Sequence, residues 1–208
     1  MQIELFQHLD RALQEYSEGD HYKTLIEAKD EYFKITGGAN EEDEDYESRM
    51  SSFNDWYVLQ FISRRGTRTV MRDYLEKQQP SDQVSESLLN VNHSLFEYTG
   101  TNMRKQLVLK DILHDKKVIL SKDHAQPALL KNDLFLGRVL QFEGGAYLMD
   151  GKRIIPKEVR SILQKQAKKV RKLKDAKEEA SYLLEVESLK TKWLRYGHID
   201  ASKIFVFS

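Results

Sequence analysis

The change of apolar spacing near residue 92 constrains this chain most. Before it, apolar residues recur at three and four positions, the period of one helix face. After it, five short runs rich in β-branched, aromatic and leucine residues follow one another. Any fold must therefore join helices to a compact sheet. Ile3, Leu5, Phe6, Leu9, Ala12, Leu13 and Tyr16 predict a first helix, broken by Gly19-Asp20. Tyr22, Leu25, Ile26, Tyr32 and Phe33 predict a second, stopped by Gly37-Gly38. A third, capped by Ser51 or Ser52, carries Phe53, Trp56, Tyr57, Leu59 and Phe61. Gly66 interrupts it. Thr67 then caps a helix with Val70, Met71, Tyr74 and Leu75, Pro80 ends that run, and a short helix fits 82–91.

The strand runs are HSLFEYTGT, KQLVLKDIL, KKVILSK, DLFLGRVLQFE and AYLMDGKRIIP. Gly144-Gly145 and Asp150-Gly151 suit tight hairpins. Residues 92–155 are therefore expected to form a small antiparallel β-barrel or a strongly bent sheet. Pro156 opens a helix at its favoured first position, with Val159, Ile162, Leu163, Val170 and Leu173 as its apolar stripe. A further helix covers 177–196, and the closing KIFVFS reads as a strand. The expected fold class is α+β. Its segments are a helical pair over 1–38, a helical segment over 47–91, the sheet over 92–155, and the basic helix, second helix and terminal strand over 156–208.

Several chemistries can be set aside. The sequence has no cysteine, which removes disulfides, thiolate metal sites and thiol nucleophiles. There is no Gly-x-Ser-x-Gly elbow, no Gly-x-x-x-x-Gly-Lys phosphate loop and no Gly-x-Gly-x-x-Gly fingerprint. None of the 6 histidines forms a His-Glu-x-x-His motif. His114-Asp115 and Asp123-His124, at the ends of consecutive strands, are the one combination from which a two-histidine, carboxylate site could be imagined. No metal, cofactor or catalytic group is nominated, and the chain is expected to be non-enzymatic. The start MQIELFQHLDRAL is acidic and amphipathic, unlike a signal peptide, and no run approaches the ~20 apolar residues of a membrane span. The expected location is the cytoplasm.

The formal net charge is zero, yet the signs are segregated. Residues 1–49 hold 5 Lys and Arg against 14 Asp and Glu, and residues 152–175 hold 10 against 2. The candidate anion-binding residues on the basic helix are Lys157, Arg160, Lys165, Lys168, Lys169, Arg171 and Lys172. A second cluster is Arg64, Arg65, Arg68 and Arg72; its four-residue spacings put Arg64, Arg68 and Arg72 on one edge if the helix is continuous. Guanidinium groups in such a row suit phosphate, and the alternative is pairing with the acidic N-terminal helices. The basic helix lacks interleaved aromatic residues, and the NEEDEDYE stretch at 40–47 reads as a solvated acidic loop. Three functions follow. The first is an interaction protein using its charged poles, or using the terminal strand for self-association. The second is a nucleic-acid-associated protein using the basic helix. The third rests on a resemblance.

Two resemblances stand out. FNDWYVLQF (53–61), GTRTVMRDYLE (66–76), SLFEYTG (94–100), LVLKDIL (107–113) and NDLFLGRVL (132–140) occur in an order that resembles an uncharacterised bacterial family often ending in a SecA-type zinc tail. That resemblance covers about residues 50–155 and implies a helix-then-barrel unit. The zinc tail is absent here, and the basic helix and KIFVFS occupy its place. The Arg-x-x-x-Arg spacing followed by Asn92-x-Ser94 resembles PilZ, a barrel family that binds cyclic dinucleotides, although Glu97 stands where that family has glycine. It implies a cyclic-dinucleotide-type sensor as the third function.

Overall fold

A computed structural model describes residues 2–64 and 66–207, with the side chains of Gln2 and Ile3 left aside. The chain runs α1 (Gln2–Glu15), α2 (Tyr22–Thr36), α3 (Tyr46–Leu59), α4 (Val70–Gln78), α5 (Asp82–Leu89), β1 (Asn92–Thr101), β2 (Leu107–Asp111) and β3 (Lys116–Ile119). It continues through β4 (Leu134–Phe142), β5 (Gly145–Leu148), β6 (Arg153–Ile155), α6 (Arg160–Leu173), α7 (Ala176–Arg195) and α8 (Ala201–Ile204). Short 3-10 turns precede α2 and α6. The α+β class and the helical N-terminus are as expected.

The sheet is antiparallel in the order β3-β2-β1-β4-β5, with β6 on β4. It curls until Leu120 meets Ala146 in a bridge, reinforced by Ser121 N–H donating to the Ala146 carbonyl at 2.9 Å. Phe96, Tyr98, Leu109, Val118, Phe135, Val139 and Leu148 fill the inside of this curl. The other face takes the helices, because successive side chains along a strand point to opposite faces. Leu140, Phe142, Tyr147 and Met149 pack under α1–α5. Leu95, Leu134, Leu136 and Ile155 pack under α6–α8.

Local details depart from expectation where tertiary contacts outvote local signals. α3 begins at Tyr46, inside the expected acidic loop, and Asp45 just before it accepts from Arg153 of β6 at 2.6 Å instead of capping the helix. Thr69, not Thr67, caps α4, its hydroxyl accepting from Arg72 N–H at 3.4 Å. β5 and β6 do not pair with each other across Asp150-Gly151; they lie end to end along one edge of β4. Among the described residues the expected terminal strand is absent. Asp200 caps the short α8, and Ile204 and Phe205, adjacent in sequence, are both buried against α7 and the sheet. A strand would have pointed one of them outward. No helix of the described residues is long and apolar enough to cross a membrane.

Candidate anion-binding face

α6 buries Leu163, Ala167 and Val170 against Tyr182, Leu183 and Val186 of α7, and Tyr182 donates to the Leu163 carbonyl at 3.1 Å. Its basic side chains, together with Lys157 in the turn before it, divide into two groups. The edge facing the sheet is neutralised: Lys157 meets Asp133 at 3.0 Å, Arg160 meets Glu97 at 2.9 Å, and Arg171 meets Asp115 at 3.5 Å. Arg171 also donates to the Leu113 carbonyl at 3.4 Å. The outer face is different. Lys165, Lys168, Lys169 and Lys172 are exposed, and among the described residues no carboxylate lies within ion-pair distance of them. Helical periodicity gathers these four on one solvent-facing strip.

The N-terminal acidic pole does not neutralise this strip. Its carboxylates find partners nearer home: Glu15 with Lys77 at 2.5 Å, Glu27 with Arg64 at 3.6 Å, Asp43 with Arg49 at 3.4 Å and Asp45 with Arg153 at 2.6 Å. α6 packs chiefly on the turn before it and on α7.

The arginine cluster does not form a row. The segment between α3 and α4 is irregular, so Arg64 and Arg68 lie off any helix and only Arg72 is on α4. Arg64 is held by Glu27 of α2, and Arg68 pairs with Glu76 of α4. Arg65 lies outside the described residues. Asn92 and Ser94 turn inward to Asp111, at 2.9 and 2.5 Å. The polar groups shared with the cyclic-dinucleotide barrels are thus already engaged. His114 and Asp123 do not converge: His114 binds Asp111 at 2.9 Å and Glu179 at 3.3 Å, whereas Asp123 accepts from Tyr147 at 3.2 Å. The hydrogen bond to Asp111 raises the His114 pKa, against its burial. Among the described residues no group of three or more His, Asp or Glu could hold a metal ion.

Sequence reasoning missed a buried polar seam between the two helical layers. Asp45, Ser48, Ser52 and Asp55 repeat at three and four residues along one face of α3 and meet Arg153, Arg138 and Glu187. Tyr32 donates to Glu187, and Ser52 donates to its other oxygen at 3.1 Å. Burial raises the Tyr32 phenol well above its ordinary range, and the Glu187 charge adds to the effect. Burial also brings the Lys190 amine down to about 8, its Nζ 4.7 Å from the centre of the Trp193 ring. Arg138 sits in LFLGRVLQF, a strand otherwise almost wholly apolar, and that was the signal available. Arg138, Arg153 and Glu187 are no more than 2 % exposed, and the seam joins the two layers.

Fold and surface together define an α+β protein in which two helical layers back a curled sheet and one helix presents an unpaired lysine strip. The chain belongs to DUF7986, a family of unknown function, whose profile matches residues 8–188. That match neither supports nor opposes the resemblance to the zinc-tailed family. No curated protein and no solved structure matches the chain.

Proposed function

We propose that this chain is a non-enzymatic binding protein whose α6 strip engages the phosphate backbone of nucleic acid without reading sequence. The observation that carries the reading is that the free cations are all lysines, Lys165, Lys168, Lys169 and Lys172, while the arginines of the same helix are committed to Glu97 and Asp115. Protein interfaces are enriched in arginine and aromatic anchors and depleted in lysine. A lysine strip without either suits counterion release at phosphates. The alternative of strand addition through the C-terminus has lost its strand, since Phe205 is buried where the strand was expected.

The test is a fluorescence-anisotropy titration of labelled duplex at several salt concentrations. The wild-type chain should bind at low salt and weaken steeply as salt rises. Replacing Lys165, Lys168, Lys169 and Lys172 together by glutamine should flatten the salt slope by about 3–4 units, at about 0.9 per phosphate. Absence of any binding at 25–50 mM salt, roughly the regime where such contacts are strongest, would remove the reading.

A further inference from the structure

Resting on the α6 reading, we infer that the phosphate tract continues into a groove on the outer surface of β1, β2 and β3, and that its occupant is double-stranded RNA. The groove has a volume of about 480 Å³ and is lined in part by Lys110, Lys116 and Lys117. It lies beside α6, because the two ion pairs that tie α6 to the sheet end on its borders. Arg160 holds Glu97, the cross-strand neighbour of Lys110, and Arg171 holds Asp115, which lines the groove.

The register supplies an independent sign that an anion belongs here. Glu97, Lys110 and Lys117 stand opposite one another across three adjacent strands, on one face. Directly opposed like charges destabilise a sheet. The one carboxylate in that row is 7 % exposed and already taken by Arg160, so Lys110 faces Lys117 uncompensated. A fold that keeps such a pair exposed bears a cost that a bound phosphate removes. Gly100, in the bulge of β1 and at a φ of 118°, presents no side chain to the groove, and the Lys131 stem lies 3.8 Å from where its Cβ would stand. A further cation stem, that of Lys131, thus stands beside the groove at Gly100.

The occupant follows from what accompanies the charge. Neither strip nor groove carries an aromatic ring, so the stacking platform of single-strand binders is missing. A duplex needs none. The groove does carry the hydroxyls of Thr99 and Thr101 among its lysines, that of Thr99 donating to the Val108 carbonyl at 3.0 Å and keeping its oxygen as an acceptor. Neutral hydrogen-bonding groups interspersed with phosphate-seeking cations suit the shallow minor groove of A-form RNA, which displays 2′-hydroxyls next to its phosphates.

The experiment compares the wild-type chain, the Lys110→Gln/Lys117→Gln double variant and the four-lysine α6 variant, each titrated with RNA, DNA and single-stranded oligonucleotides of equal length. The groove double variant should keep partial RNA binding, with the salt slope reduced by about 2 units. Its thermal midpoint should equal or exceed that of wild type, because the opposed charges are gone. Wild type should prefer duplex RNA to duplex DNA and to single strands. An unchanged slope in the groove variant, alongside loss of binding in the α6 variant, overturns this inference and leaves the α6 reading standing. Loss in neither variant overturns both. Equal affinity for duplex DNA, tighter binding of single strands, or equal competition by polyglutamate overturns the assignment to double-stranded RNA.

Discussion

Arg138 Nη1 and Asp55 Oδ2 lie 3.8 Å apart in the interior, and neither atom has a hydrogen-bond partner. Gln60 takes the other side of the guanidinium, accepting from Nε at 3.2 Å and Nη2 at 2.7 Å. The pair is close enough to attract and too far apart to hydrogen-bond, so burial dominates and pushes the Asp55 carboxyl up to about 6 despite the arginine. The folded chain then holds this proton more tightly than the unfolded chain. Its contribution to stability is complete below about pH 4 and is lost as pH rises through about 6. Asp55→Asn should abolish that slope. Urea midpoints measured from pH 4 to 8 check it.

His93, the cross-strand neighbour of Arg138, has the opposite sign. Both ring nitrogens are buried without partners. Burial first, and then the Arg138 and His114 charges, hold its pKa well below the ordinary histidine value. This contribution is present above about pH 6.5 and is lost as pH falls through it. In the wild-type chain the Asp55 and His93 slopes oppose each other below about pH 6. The Asp55→Asn variant should therefore expose an acid sensitivity that His93→Leu removes. Circular dichroism at pH 5 and pH 7 on the single and double variants distinguishes this from a general acid effect.

Arg138→Met should be the most damaging change in the seam. It strands Asp55, and it leaves the Gln60 side chain without the donors it now accepts from. Removing one partner of a buried charge pair costs about 3–5 kcal/mol. Combining it with Asp55→Asn should recover part of that loss, a coupling read from a double-mutant cycle in urea.

Tyr32→Phe deletes the phenol that donates to Glu187 and, among the described residues, leaves Ser52 as the one hydrogen-bond donor to a carboxylate 2 % exposed. The expected loss is about 2–3 kcal/mol, the range for a hydrogen bond to a buried charge. Because Tyr32 is on α2 and Glu187 on α7, hydrogen exchange should quicken in both helices of the variant.

At the C-terminus, Phe205→Ala should cost about 3–5 kcal/mol, as befits a ring 1 % exposed between α7 and the sheet. Val206→Ala, at a side chain 65 % exposed, should change stability by less than about 0.5 kcal/mol. A free edge strand would make the two changes comparable, so the ratio of their unfolding midpoints tests the burial directly.

Periodicity determined much of this protein. Spacings of three and four residues identified the helices, and the runs between 92 and 155 identified the antiparallel sheet, because each pattern states which faces must leave water. Charge segregation likewise marked α6 before any fold was known. Sequence could not say which α6 cations remain free. Lys157, Arg160 and Arg171 are spent on Asp133, Glu97 and Asp115, residues 24 to 63 positions away that only the curl of the sheet brings alongside. Tertiary packing also dissolved the Arg64–Arg72 row, buried Ile204 and Phe205 at the end of a short helix where a strand was expected, and created the seam of Asp55, Arg138 and Glu187. Local patterns record how a segment meets water. Ion pairs, orphaned buried groups and opposed lysines depend on which distant segments meet each other, and that is settled only when the two helical layers close on the sheet.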